Sequence, residues 1–109
     1  MAIVRCVIPE PLLEEAAHRF ALLGDPTRLR LLSVLHATGE IAVGDLAERS
    51  GIGRENASQH LSRLAAAGLV ARRRQATSVL YRIADETLGE ICGLVCDGVR
   101  KRAAMLAAG

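Results

Sequence analysis

A run of hydrogen-bonding side chains occupies residues 54–63, where apolar residues recur with helical spacing. Ala57, Leu61 and Leu64 fall on one face of a helix, which leaves the polar side chains on the other. Glutamine and arginine at such positions can pair with base edges, and hydroxyl or imidazole groups suit phosphates. The alternative is a polar face that is simply solvated. The polar side chains of this run are Arg54, Asn56, Ser58, Gln59, His60 and Arg63.

Three cysteines are the second group that could do chemistry. Cys92 and Cys96 lie four residues apart, hence on one face of the last predicted helix, and Cys6 lies in the N-terminal segment. Three thiolates without a nearby carboxylate or imidazole would suit a soft thiophilic ion such as arsenite, mercury or cadmium. Two alternatives stay open: the thiols pack as small hydrophobic groups, or they form a redox or persulfide switch. His18 and His36, each alone in an apolar helix, are predicted to be surface or internally bonded histidines.

Three helices are predicted before the polar run. The first, "LLEEAAHRFALLG", ends at Gly24, and the second, "DPTRLRLLSVLHATG", has Asp25 as its N-cap and Pro26 at its first position. The third, "VGDLAERS", is closed by Gly51, and the polar run forms a fourth helix over about residues 54–67. Two helices joined by a short turn containing glycine form a helix-turn-helix, whose second helix enters the major groove of DNA.

The pattern then changes to short stretches rich in β-branched residues. "LVARRR" and "SVLYRIA", separated by "QATS", predict a β-hairpin beside the fourth helix. Its basic residues would lie on a neighbouring phosphate backbone or groove, with Thr77 at the tip. A final helix, "DETLGEICGLVCDGVRKRAAML", is predicted to begin at the cap Asp85, with the basic residues 100–102 near its negative end. The basic residues of the hairpin are Arg72, Arg73 and Arg74.

Length and composition limit the remaining choices. The 109 residues predict one domain, 1–109, and an apolar half that contains one Phe, one Tyr and no Trp predicts helices packed through aliphatic side chains. So high an apolar fraction in a small chain also predicts a dimer interface. No 18-residue apolar run or secretory signal is present, so we expect a cytoplasmic protein with no membrane contact. A phosphate-binding glycine loop, an HExxH motif and a nucleophile with an obvious base are all missing, which argues against an enzyme.

The order of these elements resembles the ArsR/SmtB family of winged helix-turn-helix repressors. The blocks that carry the resemblance are "ALLGDPTRLRLLSVL", "VGDLAERSGI", "SQHLSRLAAAGLV" and "LYRIAD", which occur in the family's order and at its distances. The resemblance implies a mainly α fold with a small β-hairpin. It also implies a homodimer whose interface consists of the N-terminal segment, the first helix and the last helix. It also implies a palindromic double-stranded DNA operator that is released when an effector, commonly a metal or metalloid ion, binds.

This chain departs from the family at its usual metal sites. Ala42 stands where one common site has a cysteine, and a second site of Asp, His, His and Glu aligns with Asp85, Thr87, Gly98 and Lys101. Neither site is therefore expected here. Three possibilities for sensing remain: a thiophilic ion at Cys6, Cys92 and Cys96, a redox or persulfide switch at the same thiols, or a partner protein that carries the effector site.

Two further departures concern the DNA contacts. The hairpin tip, often Gly-Arg in the family, is Ala76-Thr77 here, and Glu55 places an acid at the start of the fourth helix. Both changes favour weaker or redirected DNA contacts. They leave open a second class of function, in which the winged helix docks a protein instead of DNA. A salt-dependent shift on duplex DNA would separate the two classes, since phosphate contacts make affinity fall with salt.

Overall fold

A computed structural model describes residues 8–108 as five helices and a small antiparallel sheet. This arrangement confirms the predicted mainly α fold with a β-hairpin. None of the helices in this part of the chain combines the length and apolar character that a membrane crossing needs. After one turn of 3-10 helix (Glu10–Leu12), the elements are α1 (Leu13–Leu23), α2 (Pro26–Thr38), β1 (Ile41–Ala42), α3 (Val43–Ser50), α4 (Arg54–Ala66), β2 (Val70–Gln75), β3 (Ser78–Ile83) and α5 (Thr87–Ala108).

Local signals set the start of α2 and the turn between α3 and α4. The Asp25 carboxylate accepts a hydrogen bond from the Arg28 backbone N–H at 3.0 Å, so the predicted N-cap is confirmed. This bond and the nearby Arg28 charge hold the pKa of Asp25 below its usual value. Gly51 ends α3 with φ +72°, a left-handed conformation that glycine adopts without steric cost. Gly53 follows in the turn with an extended backbone, and it is the N-cap residue of α4.

The core is mainly aliphatic, as the composition predicts, and it also contains the buried Tyr81. The largest fully buried side chains come from α2, α3, α4, the following loop, β3 and α5. The three apolar positions predicted for α4, which are Ala57, Leu61 and Leu64, are each 0% exposed. Leu29 is an apolar residue of α2, but it remains 39% exposed and does not join this core. The fully buried set is Tyr81, Leu31, Leu32, Leu35, Leu46, Leu61, Leu64, Leu69 and Leu88.

The sheet contains one strand more than the predicted hairpin. Its order is β1-β3-β2, with Ile41 opposite Tyr81 and Arg72 also opposite Tyr81. The hairpin of β2 and β3 was predicted correctly, but β1 was missed because two residues are too few to show alternation. At the hairpin tip Ala76 has φ +56°, and it is the one non-glycine residue with a positive φ in the described part of the chain.

Arg19 of α1 joins three elements. Its guanidinium donates to the Asp85 carboxylate and to the Ala67 carbonyl, both at 3.1 Å. Asp85 also accepts hydrogen bonds from the hydroxyl and the backbone N–H of Thr87, which confirms its predicted role at the start of α5. The Thr87 hydroxyl and N–H, together with the Arg19 charge, hold the pKa of Asp85 below its usual value. The carboxylate form of Asp85 therefore stabilises the junction of α1, α4 and α5.

Helix α5 ends two residues beyond the predicted segment, which stopped at Leu106. It continues to Ala108, so Arg100, Lys101 and Arg102 lie before the last turn. The sequence had predicted that these basic residues lie near the negative end of the helix. Leu88 is the one buried residue of this helix. Ile91 is partly buried, and the large apolar side chains that follow it in α5 are exposed. They are Leu94, Val95, Val99, Met105 and Leu106.

Replacing Ala76 by Gly should stabilise the hairpin. A left-handed backbone costs an L-residue about 1–2 kcal/mol, and the extra freedom that glycine has when unfolded offsets part of the gain. We expect the free energy of unfolding to rise by about 0.5–1 kcal/mol, measured by urea denaturation at fixed protein concentration. Thr77→Gly is the matched control, because Thr77 lacks a positive φ and should only lose stability. A drop in stability for Ala76→Gly would contradict the assignment of strain to this position.

The contribution of Asp85 should depend on pH. A carboxylate whose pKa is lowered by folding stabilises the fold above its unfolded pKa, about 3.9, and loses that contribution as pH falls through the folded value. Asp85→Ala should therefore destabilise the protein more at about pH 5 than at about pH 3. Urea unfolding of both proteins at the two pH values measures this difference. An equal loss at both would show that the charge of Asp85 does not matter.

Candidate nucleic-acid interface and thiol cleft

The polar run forms the exposed face of α4. Arg54, Asn56, Gln59 and Arg63 are exposed, while Ser58 and His60 are partly buried. Asn56, Gln59, His60 and Arg63 recur at i, i+3, i+4 and i+7, so they form one stripe along the helix. Because the opposite face is fully buried, this stripe cannot rotate into the core. The helix therefore presents amide, imidazole and guanidinium groups together.

His60 is held at its inner nitrogen. Arg28, in the first turn of α2, donates from Nε to Nδ1 of His60 at 3.2 Å, and its Nη1 donates to the Leu22 carbonyl at 3.4 Å. A ring nitrogen that accepts carries no proton, so the neutral imidazole keeps its proton on Nε2. His60 thus packs against α2 and still has a donor for an outside acceptor. No sign of the contact between Arg28 and His60 is visible in the sequence, since no local pattern links residues that are 32 positions apart.

Arg54 and Glu55 begin the helix. The Arg54 guanidinium lies beside the first turn of α3, where a β-carbon added to Gly44 would be 3.8 Å from Nη1. That distance is an ordinary van der Waals contact, so the position of the arginine along α3 does not require glycine at residue 44. Glu55 is exposed in the first turn of α4, where its negative charge interacts favourably with the positive end of the helix dipole. The acid therefore has a local stabilising role.

The three hairpin arginines are divided between two faces. Consecutive strand residues point to opposite sides, and Arg72 and Arg74 share the side of their partners Tyr81 and Val79. This is the side that faces the helices, and Arg72 lines a cleft with Ser62 of α4. Arg72 and Arg74 are thus basic groups on the same side of the sheet as α4, and Thr77 is exposed at the tip.

Arg73 points to the other side of the sheet and is paired. Its Nε and Nη2 donate to the two carboxylate oxygens of Glu40 at 2.8 and 2.7 Å. The hydrogen bond from Arg73 lowers the pKa of Glu40, and the same bond raises the pKa of Arg73. Glu40 precedes β1, so the pair connects the two outer strands of the sheet. Nothing in the local sequence distinguishes Arg73 from its neighbours, because the pairing partner lies 33 residues away.

The two C-terminal cysteines line an apolar cleft between α1, α2 and α5. Cys92 is partly buried and Cys96 is exposed. Burial, and then the proximity of Cys96, raises the pKa of Cys92. The third predicted thiol, Cys6, lies outside the described residues. Within residues 8–108 no group of three or more Cys, His, Asp or Glu side chains could hold a metal ion. The cleft has a volume of about 290 Å³ and is lined by Phe20, Leu23, Gly24, Leu29, Ser33, Ile91, Cys92, Val95 and Cys96.

The histidines of α1 and α2 are both exposed, which is the surface placement predicted for them. His18 borders a cleft beside Arg28 and Arg63. His36 packs against α5, where a β-carbon added to Gly89 would lie 3.2 Å from Cε1 of the ring. Gly89 therefore permits a close approach of α5 to α2, which explains one of the glycines in this long helix.

Known proteins share this architecture and sequence. A helix-turn-helix domain model matches residues 23–73. The chain is 37% identical over 82 residues to an uncharacterised HTH-type transcriptional regulator of Methanocaldococcus jannaschii, covering 75% of this chain and 92% of that protein. The structure of the AntR antimony-specific transcriptional repressor matches with a TM-score of 0.80 and 29% identity, covering 92% of this chain and 90% of that one.

A third similar structure is a homodimeric winged helix-turn-helix DNA-binding domain from Mycobacterium bovis, described as a possible ArsR-family transcriptional regulator. It matches with a TM-score of 0.76 and 31% identity, covering 92% of this chain and 94% of that fragment. These relatives are regulators of transcription, which agrees with the exclusion of an enzyme made from the sequence. With a polar α4 beside a basic hairpin, this chain belongs to the ArsR family of winged helix-turn-helix, DNA-binding transcriptional regulators.

Proposed function

We propose that the protein is a homodimeric repressor that binds a palindromic operator and releases it when an effector binds beside α5. The observation that carries this proposal is the single polar stripe of α4, fixed outward by a fully buried opposite face. Such a helix can enter a major groove, while the hairpin, or wing (Val70–Ile83), contacts the flanking phosphates. A regulator of this kind acts where the DNA is, so the proposal includes the cytoplasmic location expected from the sequence.

The exposed apolar side chains of α1 and α5 support pairing through these helices. Leu94 and Val99 of α5 are 71% and 64% exposed, and Phe20 of α1 is 61% exposed. Apolar side chains concentrated on adjacent helices mark an association surface. A second copy of the chain fits this surface, because a two-fold interface brings the same helices together from both protomers. The similar domain from Mycobacterium bovis is itself a homodimer. We assign residues 1–109 to one domain that pairs through its N-terminal segment with α1 and through α5.

Different side chains have different roles in the proposed DNA complex. Gln59 pairs with an adenine edge, and Arg63 contacts guanine or phosphate, as does Arg54. Ser58, Asn56 and the Nε2 donor of His60 contact phosphates or base edges. The wing supplies Arg72 and Arg74 on the side of α4, and Thr77 at the tip. Arg73 would contact a phosphate after releasing its hydrogen bonds to Glu40. Phosphate contacts of this kind give affinity, and the groove contacts give specificity.

The effector proposed for this chain is a thiophilic ion such as arsenite, cadmium or mercury. The cleft brings Cys92 and Cys96 together, and AntR, which has a similar fold, is antimony-specific. Cys6 would complete a three-thiolate site. Because α1 and α5 form both the cleft and the proposed dimer surface, a ligand there would favour one arrangement of the two protomers over another. That preference changes the spacing of the two α4 helices and so lowers DNA affinity.

Replacing Gln59 and Arg63 by Ala should weaken operator binding while the dimer remains intact. Each lost base contact should reduce affinity by about tenfold or more, and loss of one phosphate contact should lower the slope of log affinity against log salt by about 1. Fluorescence anisotropy with a labelled duplex from the protein's own promoter, at several salt concentrations, measures both. The control is Arg30→Ala, which removes an exposed arginine of α2. Unchanged operator affinity in a dimeric double variant would rule out this role for α4.

Arsenite or cadmium should release the operator from the reduced protein, and Cys92→Ser or Cys96→Ser should abolish the effect without changing DNA affinity in its absence. The same anisotropy assay, titrated with arsenite, cadmium, zinc and nickel, measures release. Loss of DNA binding only after treatment with an oxidant or persulfide donor would favour the redox switch. Indifference to both treatments would favour a partner protein as the sensor.

A further inference from the structure

A cleft between α1, α2 and α4 collects positive charge beside the polar stripe of α4. It has a volume of about 460 Å³, and none of the described residues that line it is acidic. A concave surface that carries one sign of charge focuses its potential, so it attracts groups of the opposite sign. This cleft therefore suits an anion. The lining residues are His18, Ala21, Leu22, Arg28, Arg63 and Ala66.

Arg28 is held in place before any ligand binds. Its Nε donates to Nδ1 of His60 at 3.2 Å, and its Nη1 donates to the Leu22 carbonyl at 3.4 Å. These two bonds leave the Nη2 group as a donor for an acceptor in the cleft. A side chain that is already ordered loses less conformational entropy when it binds a ligand, so the contacts with His60 and Leu22 preorganise this arginine.

The charges of Arg28 and Arg63 are available to an outside anion. Asp25 interacts with the Arg28 charge, but its carboxylate accepts the hydrogen bond that caps α2 and does not line the cleft. Neither arginine of the cleft forms a salt bridge within residues 8–108, where the arginines that do so are Arg19, Arg73 and Arg100. The cleft therefore keeps a positive potential.

The cleft continues the polar stripe towards the C-terminal end of α4. Arg63 belongs to both, and it follows Gln59 by four residues, which is about 6 Å along the helix axis. The major groove of B-DNA is about 12 Å wide, so this distance is about half its width. When Gln59 contacts a base edge inside the groove, Arg63 and the cleft therefore lie at the groove wall, where the phosphates are.

We propose that this cleft is a phosphate site that holds one backbone phosphodiester of the operator in each half-site. Nη2 of Arg28 and the guanidinium of Arg63 donate to its non-bridging oxygens, and His18 lies on the α1 side of the same phosphate. The inference deepens the proposed function and rests on it in one respect, namely that α4 enters the major groove. It adds α1 and α2 to the surface that contacts DNA.

A charge series at Ala21 tests the site without altering either arginine. Ala21 is exposed and lines the cleft, so a longer side chain there brings its charge to the cleft from α1. At low salt, Ala21→Glu should weaken binding to a duplex from the protein's own promoter about tenfold, and Ala21→Lys should strengthen it by about the same factor. Both effects should shrink as salt rises.

The matched control is Ala21→Gln, which has the shape of the glutamate variant without its charge and should bind DNA like the native chain. Fluorescence anisotropy of a labelled duplex at several salt concentrations gives the affinities. Sedimentation of each variant checks that its assembly state is unchanged. A merely structural role for Ala21 would make the three variants alike, whereas a phosphate site separates them by the sign of their charge.

Single methylphosphonate substitutions in the duplex identify the phosphate, because each replaces one charged oxygen by a neutral methyl group. At one position in each half-site, native affinity should fall and the penalty of Ala21→Glu should vanish, since the repelled charge is gone. Substitutions at other phosphates should leave that penalty intact. The two changes form a thermodynamic cycle that isolates their interaction.

Three results would overturn the inference. The first is equal DNA affinity of Ala21→Glu and Ala21→Gln, and the second is a penalty that no methylphosphonate removes. The third concerns free phosphate as the ligand. Inorganic phosphate added at constant ionic strength should have no specific effect, and its release of DNA from the native chain but not from Ala21→Glu would assign the cleft to the free ion.

Failure of this inference is distinguishable from failure of the proposed function. If Gln59→Ala weakens operator binding while the Ala21 series has no effect, α4 keeps its role and the phosphate site is refuted. If the Ala21 series changes affinity while Gln59→Ala has no effect, the phosphate site is supported and the role of α4 in the groove is refuted.

Discussion

Burial of the apolar face of α4 is the constraint on which the rest of the structure depends. Ala57, Leu61 and Leu64 are inaccessible to solvent, so the helix has one permitted rotation about its axis. That rotation places Asn56, Gln59, His60 and Arg63 outward as a set. Full burial of a leucine side chain contributes about 1.5–3 kcal/mol to stability. The packing of Leu61 and Leu64 is therefore enough to fix the orientation of the polar stripe, even without hydrogen bonds made by the stripe itself. The side chains proposed to contact DNA are thus arranged before DNA arrives.

Much of this arrangement could be predicted from local sequence. Asp25 and Pro26 mark the start of α2, Gly51 marks the end of α3, and the change from helical to alternating periodicity marks the wing, because each signal acts within a few residues. The two-residue strand β1 was missed, since it exists only through pairing with β3. The predicted last helix stopped at Leu106, two residues before its end at Ala108, because its last turns contain no glycine or proline that would mark the end.

The candidate site shows the same limit more clearly. The residue types of the polar run were sufficient to identify its exposed face, but the pairing of Arg73 with Glu40 and of Arg28 with His60 joins residues more than 30 positions apart. No sequence pattern distinguishes Arg73 from Arg72, although the alternation of strand side chains places them on opposite faces. The apolar cleft around the cysteines likewise arises only when α1, α2 and α5 meet, so its wall could not be inferred from the thiols alone.

The exposure of α5 has a consequence for how much protein a cell must make. Isolated helices are marginal in water, and most of their stability comes from packing of an apolar face. A 22-residue helix that buries only Leu88 within its own protomer has little such packing over its C-terminal half. In the proposed dimer, ordering of this half and meeting of two protomers are therefore one event, governed by mass action. Copy number would then set the fraction of chains that are fully folded as well as the occupancy of the operator, and scarce protomers with a frayed α5 would be the first targets of proteolysis.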